Sequence, residues 1–450
     1  MDKPKQTSTI EELDKDEEVS VPLFALFSDN VLTITEGTKV AAEVITEYTY
    51  RDSQMSKAET KTVRLYDRNA MTWDDDRKAA AFCTAKDPEI LRFSKNIAGM
   101  VRDYQSKAVN LNFRIAMALF EGLSLHGVNY VVDPQTPYAD FSKDATVVDY
   151  LQFPIQTLDY KAGDCDDLSI LYATLLESTG IETAFITIPG HIYMAFNLNM
   201  PPSEAKKLFL NPGDLIFKET TWLPVEITLV QDGFLKAWEV GAKQWREHNP
   251  SGDAGFFPIY EAWSEYEPVG LVDAASGLSF PQQNAVMDEY TETVNRFVER
   301  EIADRVADLQ KRIEESDNPA HLQNRLGVLH AQYGIIEKAR GLFEDAANSQ
   351  YVPAIINMGN ILYLEERYVD ALDMFEDANE MRPGSSAALV GIAKANYELE
   401  NHGNVKRVYE ELQRKDPNTA ARFSYLVSSE DEARASSAMI REIVVWGEEE

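Results

Sequence analysis

The spacing of apolar positions divides the chain into stretches of different period. Residues 1–20, MDKPKQTSTIEELDKDEEVS, are polar, acidic and free of aromatic side chains, a composition that cannot bury a core and reads as a disordered tail. Three runs with alternation or β-branched enrichment follow: NVLTIT (30–35), KVAAEVITEYTY (39–50) and ETKTVRLY (59–66), separated by turn-like EGT and RDSQMS. They predict a small sheet within 21–68, compatible with part of an Ig-like module. From Asp87 the period becomes helical in PEILRFSKNIAGMVRDYQ and VNLNFRIAMALFEGLSLHG, until the two prolines of YVVDPQTPY break it. Helices and short strands then mix to about residue 250. Beyond Gly- and Pro-containing loops, a helix is expected over 284–315, where Val294, Phe297, Val298, Ile302, Val306, Leu309 and Ile313 form one stripe on a charged rod. That stripe is expected to pack on a neighbouring domain.

From Ala320 the chain repeats itself. Aligning Leu326-Gly327 with Met358-Gly359 brings Ala339, Phe343 and Ala346 onto Ala371, Phe375 and Ala378, with Pro383 at the helix-ending place. A weaker third copy holds Ala393, Val405, Tyr409, Leu412 and Pro417. Small residues at fixed places let paired helices approach closely, and the aromatic fills the gap to the next pair. The length and the Gly, Ala, Phe, Ala, Pro positions resemble the tetratricopeptide (TPR) repeat; the competing reading is an unrelated helical bundle. Three repeats are about the minimum for a stable solenoid, so the helices from about 420 are expected to cap it.

The stretch KAGDCDDLSILYATLLESTGIETAFITIPGHIYMAF (161–196) carries one of the 2 cysteines and one of the 6 histidines. Gly163 permits a close approach, and Leu168, Ile170, Leu171, Leu175 and Leu176 fall on a helical face that ends at Gly180, so Cys165 stands at a helix N-terminus. Unpaired N–H groups and the helix dipole there favour a thiolate and can hold an oxyanion. Asp164, Asp166 and Asp167 work against the thiolate if they face the sulfur, and stabilise the helix start if they point into solvent. ETAFITI reads as a strand, Pro-Gly as a turn and HIYMAFNL as a second strand, which puts His191 at a strand mouth on the less apolar face. A third group should fix the imidazole tautomer, and Glu226 in TTWLPVEIT is the candidate.

In combination, Gly163-Asp164-Cys165-Asp166-Asp167-Leu168, Pro189-Gly190-His191 and Trp222-Leu223-Pro224-Val225-Glu226-Ile227-Thr228 resemble the bacterial transglutaminase-like cysteine protease superfamily. YVVDPQTPY and DYLQFPIQTL are also similar to stretches that precede its cysteine. The resemblance covers about residues 105–245. It implies an α+β chain with a papain/transglutaminase-like core, in which Cys165 is the nucleophile, His191 the general base and Glu226 stands where Asp is usual. A polar insertion between His191 and Glu226, NMPPSEAKKLFLNPGDLIFKE, is expected to form a lid or rim, and Gln152 or Gln156 could supply an oxyanion donor. The expected division is 1–20 tail, 21–68 β module, 69–283 transglutaminase-like domain, 284–318 connecting helix and 319–450 TPR repeats with capping helices.

Composition narrows the partners. Lys and Arg number 43 against 75 Asp and Glu, a net charge of −32 that repels phosphate backbones and anionic lipid surfaces, so no nucleic acid and no membrane are expected. No apolar h-region and no run of 18 apolar residues occurs, which predicts no membrane span and a cytoplasmic chain as written; a processed form of a periplasmic or surface protein would read alike. Cys83 and Cys165 share no metal-ligand spacing, and His126, His248, His321, His330 and His402 have no metal-binding pattern. WDDDRK (73–78) reads as a helix start rather than a cation loop. Phosphate loops, GxSxG and HExxH are absent, so no cofactor and no metal are expected. Three functions remain: a peptidase or amidase working through Cys165, His191 and Glu226, an inactive scaffold whose TPR groove binds a protein, and a crosslinking acyl transferase. A protein or peptide partner is expected in the TPR groove and in the Cys165 cleft.

Overall fold

Residues Thr38–Tyr50 (β1) and Ser53–Leu65 (β2) pair antiparallel from Thr38 opposite Leu65 to Tyr50 opposite Ser53. Arg51 and Asp52 close them with φ of 49° and 60°, the backbone of a two-residue type I′ hairpin turn, so the expected RDSQMS loop shrinks to two residues. NVLTIT departs from its expected strand: Asp29–Thr33 is a 3₁₀ turn, in which Thr33 Oγ1 donates to Asn30 O at 2.8 Å. Such local side-chain bonds compete with strand pairing. Among the described residues the ribbon is therefore two-stranded and open to solvent on most positions of both faces. The computed structural model describes residues 7–22, 27, 29–102, 108–132, 147–271, 278–427 and 444–447. The start of the expected acidic tail, most of YVVDPQTPY and residues 428–443 of the expected capping region lie outside the described residues.

The chain is a mixed α/β protein with a β-sheet region followed by a helical stretch. After β3 (Ala70–Thr72) come helices Pro88–Met100 (α1) and Leu111–His126 (α2), short strands Asn129–Tyr130 (β4) and Val148–Tyr150 (β5), helix Pro154–Tyr160 (α3) and strand Ala162–Gly163 (β6). Helix Cys165–Glu177 (α4) is buried from Cys165 to Leu176, which explains why its apolar residues extend round the helix instead of forming one stripe. Asp164 caps it, and Gly180, at φ 86°, lets Ile181 N–H return to Leu176 O at 3.1 Å.

Strands Thr183–Ile188 (β7) and His191–Asn197 (β8) form a hairpin over Pro189-Gly190, with Gly190 at φ 74°. They join Ile216–Phe217 (β9), Thr221–Val225 (β10) and Gly255–Pro258 (β11) in one antiparallel sheet of order β11-β7-β8-β10-β9. One face sends Phe185, Ile192, Met194, Phe196, Leu223 and Val225 into the main core; Ile186, Tyr193, Ala195 and Trp222 pack on the other. Between β8 and β9 lies helix Pro202–Leu208 (α5), and after β10 comes Phe234–His248 (α6). Gly241 of α6 has to be glycine, because a Cβ there would lie 3.0 Å from Glu226 N and 3.1 Å from Pro224 O. Without it the Glu226 turn could not lie against the helix.

After a short helix, Ile259–Ala262 (α7), the 32-residue helix Gln283–Glu314 (α8) lays Phe297 on Phe113 of α2 at a ring separation of 5.0 Å. The insertion around α5, expected as a lid or rim, is anchored to α8 and its neighbour. Phe209 packs on Phe113, Trp238 and Phe297, Leu210 N–H donates to Glu301 at 2.6 Å, and the Tyr333 hydroxyl donates to Leu208 O. Its apolar residues, Leu208 and Phe209, decide this, because burying them outweighs leaving the segment over the sheet.

The helical stretch runs Ala320–Gln332 (α9), Ile336–Asn348 (α10), Val352–Leu364 (α11), Tyr368–Met381 (α12), Ser386–Glu398 (α13), His402–Lys415 (α14) and Pro417–Arg422 (α15). Gly327 and Gly359 lie beneath Phe343 and Phe375, where an added Cβ would come within 2.5 Å and 2.7 Å of the ring. Sequence-adjacent helices thus meet at a glycine on one and a phenyl ring on the other.

Candidate active site

Three chain segments meet at the N-terminus of α4. Gly163 of β6 brings the first there, since a Cβ at Gly163 would sit 2.6 Å from Asp167 Cβ. Cys165 follows as the first residue of α4 and is 7% exposed. The backbone N–H groups of Ile192 and Asp166 bear on its sulfur and favour the thiolate. The start of β8 is therefore the second segment, and His191 is its first residue. The turn after β10 is the third: Glu226 is 2% exposed, and its Oε2 accepts from His191 Nε2 at 2.5 Å. Thr228 holds the other carboxylate oxygen, through its N–H at 3.2 Å and its hydroxyl at 2.6 Å. Burial alone would raise the Glu226 carboxyl, but the bond from His191 and those from Thr228 hold it below its ordinary value. With Nε2 committed to Glu226, Nδ1 is the nitrogen left to accept a proton. No hydrogen bond joins the imidazole to the Cys165 thiol among the described residues.

The acidic neighbours do not point into solvent. Asp164, Asp166 and Asp167 are all buried, which settles the alternative left open by the sequence. Asp167 accepts from Gln152 N–H at 2.7 Å and, at longer range, from Asp164 N–H, so it ties α4 to the loop before α3. Burial, reinforced by the Asp164 charge, pushes Asp167 up to about 8, and burial raises Asp166 and Asp149 as well. The Cys165 thiol is pushed up to about 12, first by burial and then by Asp164.

Carboxylate oxygens of Asp164, Asp166 and Asp167 lie within 4.8 Å of one another, the donor type a hard divalent cation prefers. Burial raises both the Asp166 and Asp167 carboxyls, and backbone N–H groups of the helix start donate to the cluster: Asp167 N–H to Asp166 at 2.7 Å and Asp164 N–H to Asp167. WDDDRK behaves as a helix start: Asp75 caps the 3₁₀ helix Asp76–Phe82 and pairs with Arg77, and Asp74 pairs with Lys78. Cys83 is wholly buried, with its thiol raised by burial. A cavity of about 860 Å³ is lined by Lys207, Arg305, Asp308 and Asn324, and by none of Cys165, His191 or Glu226.

Gln156 is committed to structure, its Oε1 accepting from Asn69 Nδ2 at 2.7 Å and Phe153 N–H at 2.9 Å. Gln152 keeps a buried side-chain oxygen without a hydrogen-bond partner among the described residues. Three further residues escaped sequence reasoning. Thr228 orients Glu226, and its place two residues after a carboxylate is the one signal that could have found it. Tyr130, beside Gly163 in the β4–β6 pair, has its hydroxyl raised first by burial and then by acidic neighbours that include Asp164 and Glu226. Tyr193 stacks under His191 with ring centroids 6.0 Å apart. No family model and no curated protein matches the chain.

Proposed function

We propose that the chain is a cysteine hydrolase of the transglutaminase-like kind, with a papain-like core around Cys165 and TPR repeats that engage a protein partner. The observation that carries the reading is the 2.5 Å bond from His191 Nε2 to a buried Glu226, beside a cysteine at a helix N-terminus. Because burial and then Asp164 raise the thiol, nucleophilic attack has His191 Nδ1 take the proton as the sulfur bonds to the substrate carbonyl carbon. Glu226 stabilises the imidazolium that results. The imidazolium then returns that proton to the amine nitrogen as the C–N bond breaks, which leaves a thioester on Cys165. Water, deprotonated by His191, hydrolyses the thioester to a carboxylate and restores the thiol. Backbone N–H groups at the start of α4 are the donors available to the oxyanion.

A specific observation also supports an inactive scaffold: Asp164 faces the sulfur and disfavours the thiolate. Iodoacetamide labelling separates the two. The hydrolase reading expects Cys165 to alkylate faster than Cys83 at neutral pH and His191→Ala to slow it at least tenfold. Equal, slow labelling of both cysteines, unchanged in His191→Ala, would leave the scaffold. Incorporation of a dansylated amine into a glutamine peptide would instead identify acyl transfer.

A further inference from the structure

The chain's own residues Val444, Val445, Trp446 and Gly447 lie, without helix or strand, against the first helices of successive helix pairs. Asn357 of α11 reads Gly447 twice, accepting its N–H at 2.6 Å and donating to its carbonyl at 3.0 Å. Asn324 of α9 donates to the same carbonyl at 2.9 Å, and Asn360 of α11 donates to Val445 O at 2.9 Å. The Trp446 ring stacks on Phe343 at 5.9 Å and packs in the apolar cluster of Val328, Ala331 and Ile361. Val444 and Val445 pack against the cluster that contains Ile356 and Leu362. At Gly447 a Cβ would lie 2.9 Å from Pro353 O and 3.2 Å from its Cα, so only glycine fits.

The three asparagines are 2%, 0% and 3% exposed. A buried amide left without partners costs about 1–3 kcal/mol, and a face meant only to pack would carry leucine or alanine there. Their Nδ2 groups are satisfied by backbone carbonyls of 444–447, with Asn357 also donating to Asn324 at 2.8 Å. Hydrogen bonds to a peptide main chain supply affinity, and pockets for particular side chains supply selectivity. Here the selective positions are an aromatic slot and a glycine-only site, in that order.

We infer that the face formed by α9, α10 and α11 is a peptide-reading groove for a Val-Val-Trp-Gly pattern, and that residues 444–447 of the same chain fill it in cis. A partner peptide of that pattern must displace them. The inference rests on the groove contacts and holds whether or not Cys165 is a nucleophile. A tethered ligand acts at an effective concentration on the order of millimolar, so an untethered copy with a Kd of about 50 μM is competed roughly twentyfold.

The test uses the full chain and a labelled synthetic peptide, EIVVWGEE, corresponding to 442–449, followed by fluorescence polarisation. Gly447→Val ejects the cis segment, and the variant should bind the peptide about twentyfold more tightly than the unaltered chain; Trp446→Ala serves if Gly447→Val folds poorly. Adding Asn357→Ala to either should abolish binding. Hydrogen exchange on the unaltered chain gives an independent reading: the Gly447 amide should be protected, independently of protein concentration, and Asn357→Ala should release it. Equal peptide affinity in the unaltered chain and both ejection variants would overturn the inference. So would an unprotected Gly447 amide, or protection that grows with protein concentration, which would assign the segment to a second copy.

Discussion

Replacing Asp164 by Asn tests the electrostatic account of the cysteine most directly. The Cys165 thiol is raised from an ordinary 9.0 to about 12, with burial the larger cause and the Asp164 charge the next. A unit charge in contact range at an effective dielectric of about 20 contributes a few kcal/mol at most, and burial is the larger cause, so removing the Asp164 charge should undo the smaller part of the rise. Less basic thiolates are also weaker nucleophiles, with a Brønsted slope of about 0.45, so the alkylation rate below the pKa should rise several-fold, by less than the thiolate fraction does. The cap survives, because an Asn side-chain oxygen can still accept the Asp167 N–H that Asp164 Oδ1 accepts at 3.5 Å. The assay is the second-order rate of iodoacetamide alkylation at Cys165 between pH 7 and 9, read by mass spectrometry with Cys83 as the internal control. Asp166→Asn is the matched comparison. Burial raises the Asp166 carboxyl, and the Asp166 backbone N–H that favours the thiolate is kept in Asn, so this substitution should change the rate less than twofold. An unchanged rate in Asp164→Asn, or an equal acceleration in both variants, would refute the account.

On the proposed hydrolase reading, Glu226→Gln removes the charge that the imidazolium needs, so turnover on an amide substrate should fall at least a hundredfold with KM little changed. The depressed Glu226 carboxyl stabilises the fold above its unfolded-state value, and this is lost as pH falls through the folded value. The stability gap between Glu226→Gln and the unaltered chain in urea unfolding should therefore narrow on acidification; a gap independent of pH would contradict the pairing. Glu121 has the opposite sign: burial raises it from 4.5 to about 7, while it accepts from the Thr293 hydroxyl and Phe234 N–H. Its stabilising contribution is complete below about pH 4.5 and lost as pH rises to about 7, a loss of about 3 kcal/mol that Glu121→Gln should remove from the pH profile.

What was readable in the sequence was mainly local. The glycine before Cys165 and the leucine spacing after it located a helix start, and Pro189-Gly190 located the strand that His191 opens, because turn chemistry and periodicity act over a few residues. The direction in which Asp164, Asp166 and Asp167 face was not readable. It depends on Gln152 and Asp149, brought to the helix start by β5 and the loop before α3. NVLTIT misled because its alternation is strand-like while Thr33 bonds back to Asn30. The polar insertion looked like a surface rim because Leu208 and Phe209, which anchor it, are few among many polar residues. The Val-Val-Trp-Gly segment has no periodicity of its own, and its meaning comes from asparagines some 85 to 123 residues earlier in the chain.

The packing also decides how the two candidate sites relate. One hydrophobic cluster runs from Cys165 through Phe234 and Phe297 to Leu326 and Tyr333, so α8 and α9 belong mechanically to the body that holds the cysteine. Glu121 bonded to Thr293, Leu210 to Glu301 and Ala108 N–H to Gln332 O add polar ties across the same seam. The helices beyond have clusters of their own. The Gly447 carbonyl, held at once by Asn324 on α9 and Asn357 on α11, therefore spans the joint between the cysteine-bearing body and the outer helix pairs. A peptide seated there strengthens the stacking of α11 on α9 but touches neither β8 nor the Glu226 turn, so its binding energy has no direct route to the imidazole. Under the two proposals, then, the groove would choose what is brought to the protein, and the chemistry at Cys165 would be left to His191 and Glu226.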